Sequence, residues 1–302
     1  VSMAELENIP GTGQEGRVSK KDILAYVANK ATGAKAPVSS QQVPASFVPA
    51  PEPQTANLKP QTESQPPVVY SGNVEIIEMD RMRKLIAKHM VDSKHTSAHV
   101  TSFAECDVTS LVLWREKVKK DFEKREGEKI TFTPLFIEAI VKCIKKYPWL
   151  SSSVEGDKII VKKDLNIGMA TALPSGNLIV PVIRNADQLN LVGLTKQVNG
   201  LANAARSGKL KPDDTTGGTF TLTNVGTFGS IMGTPIINQP QMAILGVGTI
   251  EKRAVVIDDA IGIRLMGYLA LGFDHRVVDG AVGDHFMARI KHQLESWDPS
   301  HA

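Results

Sequence analysis

Cysteine is scarce in this sequence: Cys106 and Cys143 are the two thiols among 302 residues. They lie far apart within apolar patterns, which excludes a disulfide framework and reads as reduced core thiols in a reducing compartment. No apolar run reaches the roughly 18–20 residues that span a bilayer, and the N-terminus has neither a signal-peptide pattern nor an initiating methionine. The chain therefore reads as soluble, with no membrane partner, and as a piece of a longer protein. An excess of one charge is also missing. A formal net charge of +3 gives no reason to expect a polyanion, so nucleic acid is not an expected partner. Zinc-ligand spacings and internal repeats are absent too. What is present is 42% hydrophobic residues, enough for at least one sizeable core.

Composition divides the chain into three parts. Residues 31–72 are rich in Ala, Pro, Gln and Ser, with few charges and almost no apolar periodicity. Such a segment buries too little surface to offset the cost of ordering it, and its prolines favour extended stretches, so it reads as a semi-stiff tether. Residues 1–30 form a short helical unit: a first turn, a GTGQEG loop, and a helix from about Lys20 to Asn29 that Ser19 can cap. The loop matches neither dinucleotide nor P-loop spacing. Arg17, Lys20 and Lys21 give the unit a small basic face.

Residues 73–302 have the pattern of one large mixed domain. VEIIEMD reads as a short strand leading into an amphipathic helix with Met82, Leu85, Ile86 and Met90 on one face. A stretch that alternates like a half-buried strand, HVTSFAECDVTS, runs into a helix that starts at Thr109 or Ser110 and reaches Glu126. Another helix follows with Pro134 in its first turn, then a hairpin, SVEGDKIIV. LNIGMATALPSGNLIVPVIRNAD reads as two apolar strands joined at Pro-Ser-Gly-Asn, followed by a helix from about Leu191 to Ser207. Three further strands and a closing helix from about Ala281 to Leu294 complete the domain. Strands and helices in this order indicate an α+β sandwich with helices on a mixed sheet.

Within FDHRVVDG, His275 falls where a buried strand turns into the closing helix. Rigid margins of this kind favour catalytic groups. A lone histidine at a strand end is more often a core imidazole; its neighbours change that reading. His285 and His292 lack carboxylate or cysteine ligands at metal spacing, and His89, His95 and His99 read as surface or packing residues.

DHRVVDG resembles the H-x-x-x-D-G motif shared by dihydrolipoamide acyltransferases and chloramphenicol acetyltransferase. MDRMRKLIAKHM, SGNLIVPVIRNADQL, GGTFTLTNVGTFGS and TPIINQPQMAILGVG resemble successive blocks of the acyltransferase catalytic domain, in the family's order, from Val74 to the C-terminus. IPGTGQEGRVSKKDI resembles the C-terminal part of the peripheral subunit-binding domain of 2-oxo acid dehydrogenase complexes. With the linker between them, the chain is similar to the acyltransferase (E2) subunit of such a complex, without its lipoyl domain.

That resemblance implies a chloramphenicol acetyltransferase-like sandwich and acyl transfer between dihydrolipoamide and coenzyme A. It implies His275 as general base, Asp279 as the second motif residue, and Thr223 as the hydroxyl donor to the oxyanion. Coenzyme A contacts carry over to Arg115, Thr131, Asn224 and Gly248. Thr171 departs from relatives that carry an acidic residue there. The lipoyl group is the acyl carrier. Residues 1–30, through Arg17, Lys20 and Lys21, would dock the dehydrogenase subunits (E1, E3), and the catalytic domain would self-assemble into trimers and a cage of about 24 chains. A bacterial cytoplasm is favoured over a mitochondrial matrix. A catalytically silent scaffold subunit would not need His275 and Thr223, and a stand-alone chloramphenicol-type enzyme would need no tether.

Overall fold

The computed structural model describes residues 72–298. The chain divides into two units, Val1–Asn73 and Val74–Ala302, and the second holds the helices and strands that build the fold. The helical unit 1–30 with Arg17, Lys20 and Lys21, and the linker up to residue 71, lie outside the described residues.

The domain begins with an exposed stretch. Residues 74–80, expected to form a strand, have no regular structure, because no ladder partner among the described residues takes up their backbone. Their apolar side chains stay in the open, Ile77 at 79% exposure. Helix α1 (Arg81–Thr96) starts where expected, capped by the Asp80 carboxylate accepting from Arg83 N (2.7 Å). Among the described residues its apolar stripe is covered only in part: Met82 is 54% exposed and Leu85 57%, Ile86 and Met90 are half-buried, and Ser93 is the buried position.

Strand β1 (His99–Asp107) leads into α2 (Thr109–Glu126) and then α3 (Phe132–Ile144). A hairpin of β2 (Ser152–Glu155) and β3 (Lys158–Val161) follows, as the pattern indicates. The next region departs from expectation. In place of two long strands, the structure has β4 (Ile167–Met169) paired with β7 (Val182–Ile183), and a separate pair, β5 (Thr171–Ala172) with β6 (Leu178–Ile179). Pro181 has no N–H to continue the ladder, and the Ala170 N–H turns away to Leu222 O (2.9 Å). Helix α4 (Leu191–Arg206), strand β8 (Phe220–Asn224), two 15-residue strands β9 (Ala243–Ile257) and β10 (Ala260–Asp274), and helix α5 (Gly280–Glu295) complete the domain.

The main sheet has the order β1-β10-β9-β8-β4-β7. β8 runs parallel to β9 and β4, and the other neighbours are antiparallel, so the sheet is mixed, as the element order implies. Alternation along the central strands assigns the two faces. Leu245, Val247, Leu269, Leu271 and Phe273 face the helices and are buried with α3 and α5. Phe286 of α5 sits in the middle, edge-on to Tyr147 (5.9 Å) and Phe220 (6.0 Å). Gly283 brings α5 against the strand, since a Cβ there would lie 2.8 Å from the Phe273 ring.

Glycines mark the opposite face. Pro235 covers Gly246 and Gly272, and Ile231 O approaches Gly248 so closely that an added Cβ would stand 1.7 Å from it. The segment from Gly226 to Pro240 thereby runs along the bare backbone of β9 and β10. A bulge supports this: Gly267 pairs with Ile250 but Leu269 with Val247, and the Thr249 N–H released from the ladder donates to Ser230 O (3.1 Å). Gly248→Ala must displace backbone, and we expect it to destabilise the domain by about 1–3 kcal/mol; chemical denaturation of the purified variant measures it, and an unchanged midpoint would show that the segment is not packed on this glycine.

Candidate active site

The fold delivers the sequence-assigned residues as three clusters. The first lies at the end of β10. Asp274, the last residue of the strand, is fully buried and faces a ring of donors. Arg276 Nε reaches both carboxylate oxygens (3.0 and 3.1 Å), Nη2 reaches Oδ2 (2.7 Å), and the Arg276 N–H reaches Oδ1 (3.0 Å). The Ala98 N–H (3.3 Å) and the Ser97 hydroxyl add two more from the chain entering β1. Burial pushes the Asp274 carboxyl up, but the Arg276 and Ser97 hydrogen bonds outweigh it and hold the group below its usual range. The acid is ionised and paired at neutral pH.

His275 is the residue this clamp presents. Its N–H donates to Ala98 O (2.9 Å), and the Val277 and Val278 N–H groups close the turn on Asp274 O. The imidazole itself is exposed, 6.0 Å from the Phe273 ring. Among the described residues, neither ring nitrogen has a hydrogen-bond partner within this chain. Asp279 does not supply one: it is the N-cap of α5, and its carboxylate accepts from Val282 N (2.9 Å). Behind the turn, Gln239 Nε2 donates to the Ser97 (2.6 Å) and Ser93 (3.3 Å) hydroxyls, and Ser93 donates to Ile237 O (2.6 Å). His99 is a packing residue, its Nε2 accepting from Ile237 N (3.0 Å) and its Nδ1 bonded to Ser97 O (3.0 Å).

Thr223, Asn224 and Gly248 form the second cluster. Thr223 and Asn224 end β8 beside Gly246 and Val247 of β9, with Gly248 next along the strand. The Asn224 carboxamide accepts from Thr227 N (3.3 Å) and so shapes the turn that leaves the strand. Arg115 and Thr131 make up the third. Arg115 Nε donates to Ile130 O (3.0 Å), and its guanidinium stacks on Phe132 (5.0 Å). Beside it, the Thr131 hydroxyl is buried without a hydrogen-bond partner among the described residues.

The first two clusters are held apart. Thr223 pairs with Gly246 and Gly246 with Ala270, two strand spacings across the sheet, and His275 lies five residues beyond Ala270. Strand geometry separates the two Cα atoms by about 19 Å, a gap their side chains cannot close. A cavity of about 610 Å³ lined by His89, Lys162 and Gln241, among others, includes neither residue in its walls.

From sequence, His275 stands between an aspartate and an arginine to which the pattern gives no role; their pairing requires the turn to be tight, which no residue pattern states. Asp279 does carry a readable signal, since an Asp-Gly before an apolar helix is an N-cap signature. Cys106 and Cys143 are buried free thiols, and burial pushes them up to about 12 and about 11; both are protonated at neutral pH. Among the described residues, no group of three or more His, Cys, Asp or Glu is arranged to hold a metal ion.

Known proteins share this fold and much of this sequence. Residues 71–301 match the family described as 2-oxoacid dehydrogenases acyltransferase (catalytic domain). The lipoamide acyltransferase component of the branched-chain alpha-keto acid dehydrogenase complex of Bacillus subtilis is 42% identical over 97% of this chain and 68% of its own length. The succinyltransferase component of the 2-oxoglutarate dehydrogenase complex of the same organism is 40% identical over 96% of this chain and 65% of its own. Among solved structures, the Azotobacter vinelandii dihydrolipoamide acetyltransferase superimposes with a TM-score of 0.72 at 36% identity, covering 76% of this chain and 97% of that one. The same figures hold for the cubic core of a pyruvate dehydrogenase multienzyme complex. Fold and family match together define a catalytic acyltransferase domain. The chain belongs to the acyltransferase family of 2-oxo acid dehydrogenase complexes, and it spans about two thirds of the length of the curated relatives it matches.

Proposed function

We propose that this chain transfers an acyl group between dihydrolipoamide and coenzyme A at a site built by two subunits, His275 from one and Thr223 from its neighbour. The observation that carries the reading is the presentation of His275: an exposed imidazole without a hydrogen-bond partner among the described residues, on a turn held by the Asp274–Arg276 pair. A thiol with a pKa of about 8.5 is mostly protonated at neutral pH, whereas an imidazole of about 6.5 can take its proton. His275 removes the thiol proton as sulfur attacks the thioester carbonyl carbon, and the carbonyl oxygen becomes an oxyanion that the Thr223 hydroxyl stabilises by donation. Collapse breaks the original C–S bond, and His275 returns the proton to the departing thiolate.

The solved Azotobacter enzyme supports these roles. The work describing it concerns a serine, a histidine and an asparagine in its catalytic mechanism, and their sequence separations equal those of Thr223, His275 and Asp279 here. Asp279, bonded to Val282 N, holds the helix start next to the turn. Coenzyme A fits the second and third clusters: the buried Thr131 hydroxyl has a free hydrogen-bonding capacity beside the Arg115 cation, and Asn224 and Gly248 lie next to the oxyanion donor. When bound, coenzyme A and the lipoyl group supply the two thiols between which the acyl group moves.

Self-assembly follows the same reading. The exposed apolar residues of 74–86 and the unclosed distance between the two clusters both call for a neighbouring subunit, and a related core is cubic; trimers at the corners of a cube give a cage of about 24 chains. Among the described residues no helix is long and apolar enough to cross a membrane, and a bacterial cytoplasm suits the reading. Residues 1–30 dock a dehydrogenase subunit through Arg17, Lys20 and Lys21. Arg17→Ala should weaken that binding, with the wild-type affinity falling as salt rises; an unchanged, salt-insensitive affinity in a titration would reduce the basic face to solvated surface.

The related enzymes carry succinyl, acetyl and branched-chain designations, so the acyl group is a matter for assay. Purified chain should transfer from at least one of acetyl-, succinyl- and isobutyryl-coenzyme A to dihydrolipoamide. Failure with all three in an assembled preparation would contradict the proposed activity.

A further inference from the structure

We propose that Asp274 and Arg276 are positioning residues for His275: the pair locks the turn that aims the imidazole, so that its loss lowers the chemical step rather than substrate binding. The proposal rests on His275 being the base. It goes beyond that reading by assigning two residues that flank the histidine and that neither the motif nor the oxyanion cluster accounts for.

Three observations carry it. First, Asp274 is fully buried at the end of β10, yet the partner that neutralises it is Arg276, two residues along the same turn, by a forked contact in which Nε and Nη2 engage both oxygens. A forked pair fixes direction as well as distance. Because His275 is the residue between them, the fork constrains the backbone on both of its sides. Second, the same carboxylate accepts from the Arg276 and Ala98 N–H groups, and Ala98 O accepts from His275 N. The histidine backbone is therefore tied to β1 through the residue that also binds Asp274. Third, neither imidazole nitrogen has a hydrogen-bond partner among the described residues, and the ring's side-chain neighbour is the apolar Phe273 ring at 6.0 Å. Asp279 is engaged at Val282 N, so ring placement depends on the backbone of the turn, and a small misplacement of a base can cost on the order of 100-fold in rate.

Arg276 is the better test site because its side chain is 38% exposed while that of Asp274 is fully buried. In the full chain, Arg276→Gln should lower kcat at least about tenfold with KM for dihydrolipoamide and acyl-coenzyme A unchanged. Arg276→Lys, which keeps the charge but loses the fork, should recover part of that loss. Asp274→Asn, where it folds and assembles, should match Arg276→Gln, and the double variant should fall no further than the worse single, because the two residues act as one unit. His275→Ala, assayed alongside, separates the two claims. If it is inactive while assembled Arg276→Gln turns over at the wild-type kcat, the positioning role is overturned and the base stands. If Arg276→Gln raises KM and leaves kcat intact, the arginine is a substrate contact and the proposal fails. If His275→Ala itself is active, the reading beneath the proposal fails.

Discussion

His275→Ala should reduce acyl transfer by at least the roughly 100-fold expected for loss of general-base catalysis, while leaving the domain folded and assembled. The two halves of this expectation have separate grounds. The imidazole is exposed and makes no hydrogen bond among the described residues, so truncating it leaves no buried group there unpaired. The backbone bond from residue 275 to Ala98 O and the Asp274–Arg276 clamp both survive the substitution. Nothing else in the cluster can take over the proton: Asp274 is ionised but enclosed and saturated with donors, and Asp279 is committed to the helix cap. Near-normal turnover by an assembled variant would therefore remove His275 from the chemistry.

Thr223→Ala is the second large effect. Removing one oxyanion donor raises the barrier by about 3 kcal/mol, a rate loss on the order of 100-fold. The cost in stability should be small, because the backbone of Thr223 remains in the parallel ladder against Gly246 and the side chain is only half-buried. Thr223→Ser keeps the donor and should keep most of the activity. Comparable losses for Ala and Ser would point to packing of the threonine methyl, and unchanged kcat in both would exclude an oxyanion role.

Much of the fold was legible from pattern because one-sided burial leaves a periodic record. α2, α4 and α5 begin and end within a residue or two of their expected bounds, α3 stops at Ile144, short of the apolar-periodic run that continues to Pro148, and β8, β9 and β10 fall on the apolar runs that predict them. The departures at the start of the domain share a cause. Pattern reports which residues are apolar but not which surface will cover them. Residues 74–80 read as a strand and the first turns of α1 carry an apolar stripe, yet Ile76, Ile77, Met82 and Leu85 stay exposed among the described residues. The break at Pro181 is a different case, where a missing N–H and a bond from Ala170 to β8 divide one expected hairpin into two.

The site divides along the same line. His275 and Thr223 were legible through motifs that resemble a family, whereas the Asp274–Arg276 fork and the glycine path beneath Ile231 and Pro235 depend on three-dimensional closeness. Gly248 shows the difference well. The resemblance implies a cofactor contact there; the fold adds a packing use that no motif states, because the chain's own backbone at Ile231 occupies the space a side chain would take.

The central claim is that no subunit contains a complete site. A cyclic trimer repeats one heterologous interface three times, so each His275 would face the Thr223 of a neighbour, while the Thr223 of its own chain stays about 19 Å away by strand geometry. The direct test is to co-express His275→Ala and Thr223→Ala chains under different tags, purify the mixed assemblies through both, and measure acyl transfer against each parent. Shared sites predict activity well above either parent, because some interfaces join an intact His275 to an intact Thr223. Activity no higher than the average of the parents would contradict the account, since a site contained in one subunit cannot be repaired by mixing.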